Sequence, residues 1–125
     1  MIVLDASVVL AGTFNEPGAE VLLAMDRDTA ISVVNLGEVV TKLTERAFAD
    51  DEINALIQPF REISRALTET QAFQAGLWRR ETRKFGLSMG DRCCLALAKE
   101  LGAEVYTTER VWAQLDLGVK VRVVR

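Results

Sequence analysis

The sequence contains no histidine, and this absence removes several kinds of enzyme from consideration. Serine–histidine–aspartate triads, cysteine–histidine pairs and zinc sites built on imidazole all require that side chain. Histidine is also the commonest general base near neutral pH. Any chemistry performed by this chain must therefore rely on carboxylates, lysine, hydroxyl groups or a hard metal ion.

Cysteines and long apolar runs are also scarce. The two cysteines, Cys93 and Cys94, are neighbours. Because neighbours on a helix point about 100° apart, they should not form a disulfide or share a metal ion. They are predicted to be small core residues. No apolar run approaches the roughly 20 residues that cross a bilayer. Asp5 and Glu16 interrupt the first apolar stretch, which argues against a signal peptide. We therefore expect a cytoplasmic protein without a membrane segment.

What the chain does contain is typical of one folded domain. Its 125 residues are 50% hydrophobic and 26% charged, with a net charge of −3. The apolar and charged fractions are typical of a folded protein and argue against disorder. The negative net charge argues against a domain that binds nucleic acid through an overall basic surface. Apolar strand patterns alternate with helical patterns along the chain. The sequence therefore predicts a single α/β domain over residues 1–125, with a parallel sheet covered by helices on both faces.

The boundaries of the predicted elements follow from apolar periodicity, capping residues and glycines. Strands are predicted at "MIVLD", "TAIS", "EISRAL", "AEVYTT" and "KVRVVR". Helices are predicted over residues 17–26, 33–49, 50–59, 68–86 and 88–102, with a helical turn at "ERVWAQL". Pro59 is predicted to end its helix, Gly86 and Gly102 are predicted to end theirs, and Ser88 is predicted to begin one.

Three acidic residues lie at predicted strand ends or helix starts. Asp5 follows the first strand, Glu109 follows "AEVYTT", and Asp91 is the third residue after the Ser88 cap. Because ligand sites of open parallel sheets lie beyond the carboxyl ends of the strands, these acids are predicted to converge on one crevice. Converging carboxylates repel one another, and a divalent cation such as Mg²⁺ or Mn²⁺ would keep them ionised. Such sites can activate water and support in-line phosphoryl displacement.

Each acid also has a purely structural interpretation. Asp91 completes a capping box with Ser88, and Asp5 can cap the helix that follows the first strand. Glu109 can be a first-turn acid that complements a helix dipole. Glu38 falls opposite the apolar stripe of its own helix, so periodicity favours a solvated surface residue.

Four segments taken together resemble the PIN domain family, and more narrowly the VapC-type toxins of bacterial toxin–antitoxin pairs. The segments are "MIVLDASVVL", "SVVNLGEVV", "GLSMGDRCCLALAKELG" and "VYTTERVWAQL", in that order. The resemblance implies a three-layer α/β/α sandwich around a mostly parallel sheet of four to five strands. It also implies an Mg²⁺- or Mn²⁺-dependent endoribonuclease that inhibits translation.

The resemblance also assigns residues to a site. The implied catalytic and metal-binding set consists of Asp5, Glu38, Asp91 and Glu109. Glu38 thereby changes from a predicted surface residue to a predicted site member. The family more often has aspartate at the position of Glu109, one methylene shorter. Ser7 and Thr107 match polar positions near the family's site and are predicted to orient the ligands.

Basic residues near the predicted acids are candidates for contacts with RNA phosphates. Arg92 and Arg110 each follow a site acid, and Arg79 and Arg83 lie one turn apart in "WRRETRK". The alternative for these side chains is a solvated charged face.

The implied partners are a second copy of the chain and a VapB-type antitoxin. One group of apolar residues near a helix-to-helix turn forms either a groove for a partner segment or part of the core. The group consists of Phe48, Ile53, Leu56, Ile57 and Phe60. Two other functions fit the acidic cluster. One is a different divalent-metal phosphodiesterase or phosphatase, and the other is a catalytically impaired module that binds RNA or protein.

Overall fold

The described part of the chain forms a five-stranded sheet in which all neighbouring strands are parallel. A computed structural model describes residues 1–24 and 28–125. The strands are β1 (Ile2–Leu4), β2 (Thr29–Ser32), β3 (Ser64–Arg65), β4 (Glu104–Thr107) and β5 (Val121–Val123). Their order across the sheet is β3-β2-β1-β4-β5. The predicted parallel sheet is therefore confirmed, with β1 at its centre.

Helices connect these strands. The α-helices are α1 (Ala6–Thr13), α2 (Glu20–Ala24), α3 (Val33–Glu45), α4 (Asp50–Arg61), α5 (Glu69–Leu77), α6 (Arg79–Thr82) and α7 (Met89–Leu101). Two 3₁₀ helices cover Arg83–Phe85 and Arg110–Gln114. The end of the predicted helix over residues 17–26, including Met25, lies outside the described residues. Within those residues, no helix combines the length and the apolar character that crossing a membrane requires.

The apolar residues of β1 pack on both faces of the sheet. Successive side chains of a strand point to opposite faces. Val3 packs in a cluster with α5 and α7, whereas Ile2 and Leu4 pack in a second cluster with α1, α3 and α4. All three side chains are at most 2% exposed. The uninterrupted apolar run of β1 is thus explained by burial on both sides, and the expected three-layer arrangement is confirmed.

Helix α7 anchors one of these layers in the core. It begins after the predicted cap Ser88 and ends at Gly102, which has a φ of 63° in the left-handed region that glycine favours. Its residues Cys93–Ala98 are all buried. Cys93 and Cys94 are free thiols in this core, as predicted.

Two predicted helix ends are wrong, for identifiable reasons. The helix predicted to reach Ala49 ends at Glu45, where the N–H of Phe48 bonds the carbonyl of Leu43 at 3.1 Å. This closure is a Schellman motif with Ala47 at a φ of 62°, so no glycine marks it in the sequence. Pro59 lies inside α4. It lies two residues before the last residue, Arg61, and its missing N–H leaves the carbonyl of Ala55, an exposed residue, without a helical partner.

The helix predicted over residues 68–86 is interrupted, although Gly86 ends it as expected with a φ of 71°. It divides into α5, α6 and the first 3₁₀ helix. The Arg92 side chain explains the first break, because its Nη1 donates to the carbonyl of Ala75 at 2.9 Å. A continuous helix would give that carbonyl to the N–H of Arg79.

Arg92 is therefore a structural residue in this fold. It is 8% exposed, and its Nε also donates to the Ser88 carbonyl at 3.3 Å. The guanidinium joins the last turn of α5, whose dipole favours a cation, to the start of α7. The sequence-based prediction of a phosphate contact at Arg92 is not supported by this burial.

Arg92→Ala is expected to lower the free energy of unfolding by about 3 kcal/mol, because it leaves a cavity and removes charged hydrogen bonds from two carbonyls. Arg83→Ala is the matched control, since Arg83 is exposed and should change stability by less than about 0.5 kcal/mol. Urea unfolding followed by circular dichroism measures both values. Equal values for the two variants would contradict the structural role.

Candidate active site

Asp5 lies at the carboxyl end of β1, and two hydroxyl groups hold its side chain. The Ser7 Oγ donates to Asp5 Oδ2 at 2.6 Å, and the Thr107 Oγ1 donates to the same oxygen at 2.9 Å. The backbone N–H of Asp5 bonds the Tyr106 carbonyl at 3.0 Å. Asp5 occupies the N-cap position of α1, but its side chain makes no capping hydrogen bond. The capping interpretation of Asp5 is therefore wrong.

The same two hydroxyls are oriented by the loop that follows β4. The Thr108 N–H donates to Ser7 Oγ, and the Glu109 N–H donates to Thr107 Oγ1, both at 3.0 Å. Because these hydroxyl oxygens accept from the backbone, each uses its single proton for the carboxylate. Ser7 and Thr107 thus contact a predicted site acid and tie the ends of β1 and β4 together.

The Asp5 carboxyl is difficult to ionise in this position. Its pKa is raised from 3.8 to about 6, chiefly by burial; the bonds from Ser7 and Thr107 lower it, and the charges of Asp91 and Glu38 add to the increase. The side chain is nearly inaccessible, since the residue is 3% exposed. The structure therefore brings Asp5, Glu38 and Asp91 within electrostatic reach of one another, although they come from β1, α3 and α7.

Asp91 has the structural role that its sequence context predicted. Its Oδ2 accepts from the Ser88 N–H at 2.9 Å, and its own N–H donates to Ser88 Oγ at 3.2 Å, which completes the capping box. The cap occupies only one carboxylate oxygen. Asp91 can therefore cap α7 and still present its other oxygen to the crevice near Asp5.

Glu38 is not the solvated surface residue that periodicity favoured. It is half-buried against α7, and its Oε1 accepts from the Asn35 Nδ2 at 2.7 Å. Burial raises the pKa of Glu38, the bond from Asn35 lowers it, and the charge of Asp91 raises it. The Asn35 Nδ2 also donates to the Gly90 carbonyl at 3.0 Å. Sequence reasoning missed Asn35, whose only signal is a polar residue three positions before Glu38.

The remaining predicted residues lie on the exposed rim. Glu109 is exposed and directly precedes the second 3₁₀ helix without capping it. The charges that raise the pKa of Asp5 come from the other acids, not from Glu109. Arg79, Arg83 and Arg110 are exposed. The site roles of these residues stay predictions.

The donors at this edge suit a hard divalent cation by their chemistry. They are carboxylate oxygens, and the charge of Asp91 raises the pKa of both Asp5 and Glu38, which is the situation that a cation relieves. In residues 1–24 and 28–125, however, no three acidic or cysteine side chains form a ready metal-binding cluster. The acids are therefore coupled electrostatically, and a cation would have to draw them closer together for all of them to bind it.

The fold and this edge define an α/β/α domain whose acids meet at the carboxyl end of the central strand. The chain belongs to the PIN domain family, whose model matches residues 2–117. No curated protein is significantly similar in sequence.

Solved structures of toxin–antitoxin proteins share this fold over nearly the full chain. A toxin–antitoxin complex from Klebsiella pneumoniae has a TM-score of 0.78 at 17% identity, over 100% of this chain and 98% of that chain. VapC20 of Mycobacterium tuberculosis, a sarcin–ricin loop cleaving toxin, has a TM-score of 0.73 at 18% identity, over 96% and 99%. VapBC-1 of nontypeable Haemophilus influenzae has a TM-score of 0.73 at 18% identity, over 98% of each chain.

Asp5→Asn is expected to stabilise the metal-free protein at pH 8. Burial raises the pKa of Asp5 to about 6, so the folded state loses stability relative to low pH as the pH rises from about 4 through about 6. A pKa difference of about 2 corresponds to about 3 kcal/mol. Urea unfolding in EDTA should show a gain of about 2 kcal/mol at pH 8 that nearly disappears at pH 4.

Asp116→Asn provides the control, because Asp116 is exposed and the same change of chemistry there should leave stability nearly constant at both pH values. A loss of stability in Asp5→Asn at pH 8 would show that the Asp5 charge is compensated in the fold.

Proposed function

We propose that this chain is a divalent-metal-dependent endoribonuclease, and that it acts as the toxin of a VapBC-type pair that inhibits translation. Membership of the PIN family and the fold shared with VapBC proteins support the proposal. The observation that carries it is the buried, electrostatically coupled Asp5 at the carboxyl end of β1, with Asp91 and Glu38 beside it. This chemistry needs no histidine, and the chain has none.

In this proposal Asp5, Asp91 and Glu38 hold Mg²⁺ or Mn²⁺. The bound ion would supply the positive charge that activates water and stabilises the transition state of phosphodiester cleavage. Ser7 and Thr107 keep Asp5 Oδ2 in place, so that its other oxygen faces the crevice. Glu109 completes the acid set from the rim, where its extra methylene gives it a longer reach than aspartate.

Exposed cations would hold the RNA on either side of the acids. An acidic crevice repels RNA, so flanking phosphates need local positive charge. Arg79, Arg83 and Arg110 are exposed, as this role requires. Arg92 is left out because its guanidinium is buried between two backbone carbonyls.

The proposed protein partner is a VapB-type antitoxin. A groove of about 510 Å³ lies between α3 and α4. Of the predicted apolar group, Ile53 and Ile57 are buried in its floor, Phe48 and Phe60 are half-buried, and Leu56 is 38% exposed. The group is therefore partly core and partly surface. A homodimer and a cytoplasmic location stay predictions from the sequence.

Purified Asp5→Asn is expected to cleave single-stranded RNA at least about 100-fold more slowly than the wild type in Mn²⁺, because the buried ligand that fixes the cation is neutralised. Wild-type cleavage should stop in EDTA and return when Mn²⁺ is added. Asp116→Asn should cleave at the wild-type rate. Cleavage by Asp5→Asn at that rate would contradict the assignment.

The same assay separates the alternative functions. Single-stranded RNA, single-stranded DNA and a small phosphate ester are offered in parallel, and preference for DNA or the ester would favour another metal-dependent phosphodiesterase or phosphatase. Calorimetry with Mn²⁺ that yields no heat and no thermal shift would favour an impaired binding module.

Arg79→Ala and Arg83→Ala are expected to weaken RNA binding and to reduce the slope of log K against log salt by about 0.7 for each lost phosphate contact with a single strand. Binding is measured by fluorescence anisotropy with the catalytically silent Asp5→Asn background. An unchanged slope in both variants would remove these arginines from the RNA surface.

A further inference from the structure

A buried asparagine connects Glu38 to the start of α7. Asn35 has no exposed surface, and its Nδ2 donates to both Glu38 Oε1 and the Gly90 carbonyl. One amide group therefore fixes a carboxylate of α3 relative to the backbone of α7. Asn35 itself is too deeply buried to contact substrate or solvent.

The same amide carries an unsatisfied atom. Among the residues that the structure describes, the Asn35 Oδ1 is buried and has no hydrogen-bond partner. An unpaired buried carbonyl oxygen destabilises a fold, whereas an apolar side chain of similar shape at that position would avoid this loss. The unpaired oxygen disfavours asparagine at this position, so the two bonds made by its Nδ2 are the feature that explains this residue.

Gly90 provides the matching space on α7. A Cβ at this position would lie 2.6 Å from the Glu38 Cδ and 2.8 Å from its Oε1, closer than packed atoms approach. Gly90 lies within the helix rather than at its left-handed end. Glycine is less favourable than alanine in a helix. The glycine at position 90 is therefore explained by the Glu38 carboxylate, which occupies the place that a side chain would take.

We propose that Asn35 and Gly90 are positioning residues that hold the Glu38 carboxylate against the first turn of α7, next to Asp91. This inference rests on the proposed function, because it explains the contacts of Asn35 and Gly90 with Glu38 by the cation that Glu38 would bind. Asn35 fixes the carboxylate from its own helix, and Gly90 admits it at the neighbouring helix. Neither residue contacts the RNA or the ion.

Two variants test the proposal, each with a matched control. Asn35→Leu removes both bonds from Nδ2 and the unpaired oxygen together. Asn54→Leu makes the same substitution on the exposed face of α4, where it removes one exposed hydrogen bond from Arg61. Gly90→Ala fills the space that Glu38 occupies, and Gly76→Ala adds the same methyl group to α5 where nothing lies within 4 Å.

The readouts are Mn²⁺ affinity by calorimetry, the urea midpoint in EDTA, and kcat and KM for RNA. Asn35→Leu and Gly90→Ala should each weaken Mn²⁺ binding by about tenfold, the lower end expected for residues that orient a ligand. A purely structural role would lower the urea midpoint and leave Mn²⁺ affinity unchanged. RNA cleavage should lose kcat with KM unchanged, and both control variants should match the wild type throughout.

A double-mutant cycle identifies the route of the effect. If Asn35 acts through Glu38, the Asn35→Leu/Glu38→Gln pair should bind Mn²⁺ no more weakly than Glu38→Gln alone. Additive losses, or wild-type Mn²⁺ affinity in both Asn35→Leu and Gly90→Ala, overturn the positioning role while leaving the proposed nuclease intact. If both variants bind Mn²⁺ more weakly than the wild type, but the wild type cleaves no RNA, the positioning role is supported and the nuclease is rejected. A wild type that binds no Mn²⁺ overturns both.

Discussion

The constraint on which the candidate site depends is a carboxylate buried at the end of the central strand, whose hydrogen-bond donors among the described residues are two hydroxyl groups. Ser7 and Thr107 fix the orientation of Asp5, but two neutral donors do not offset the loss of water around a charge. Asp91 and Glu38 add negative potential, so the pKa of Asp5 rises to about 6. A fold optimised for stability alone would place an apolar residue here. Retaining the acid leaves the edge of the sheet ready for a positive ligand.

The parts of the site that the sequence revealed are those with a local signature. Asp5 follows an apolar strand, and Asp91 stands three residues after a serine cap, so the sequence alone is enough to place both. Glu38 was placed only by family resemblance, because its neighbours on α3 predict a surface position. Its actual environment is supplied by Gly90, 52 positions further along the chain. Helical periodicity describes one helix at a time and carries no information about such a contact.

The same reasoning explains the errors in the fold. Strands and capped helix starts were predictable because β-branched runs, serine caps and left-handed glycines act locally. The break between α5 and α6 was not, since the Arg92 side chain that causes it comes from another helix. The early end of α3 was also hidden, because Ala47 adopts the left-handed conformation that usually signals glycine. Distant side chains and unusual residues in common motifs are what single-sequence patterns omit.

The bond between Thr107 and Asp5 joins residues 102 positions apart and therefore bears on when the edge can form. Strand β1 is synthesised before its partner β4, which carries the Thr107 hydroxyl that orients Asp5. Parallel pairing over such a separation requires all the residues between the two strands. A chain still emerging from the ribosome thus carries its acids without the scaffold that aligns them. Translation itself delays assembly of this crevice until β4 has left the ribosome.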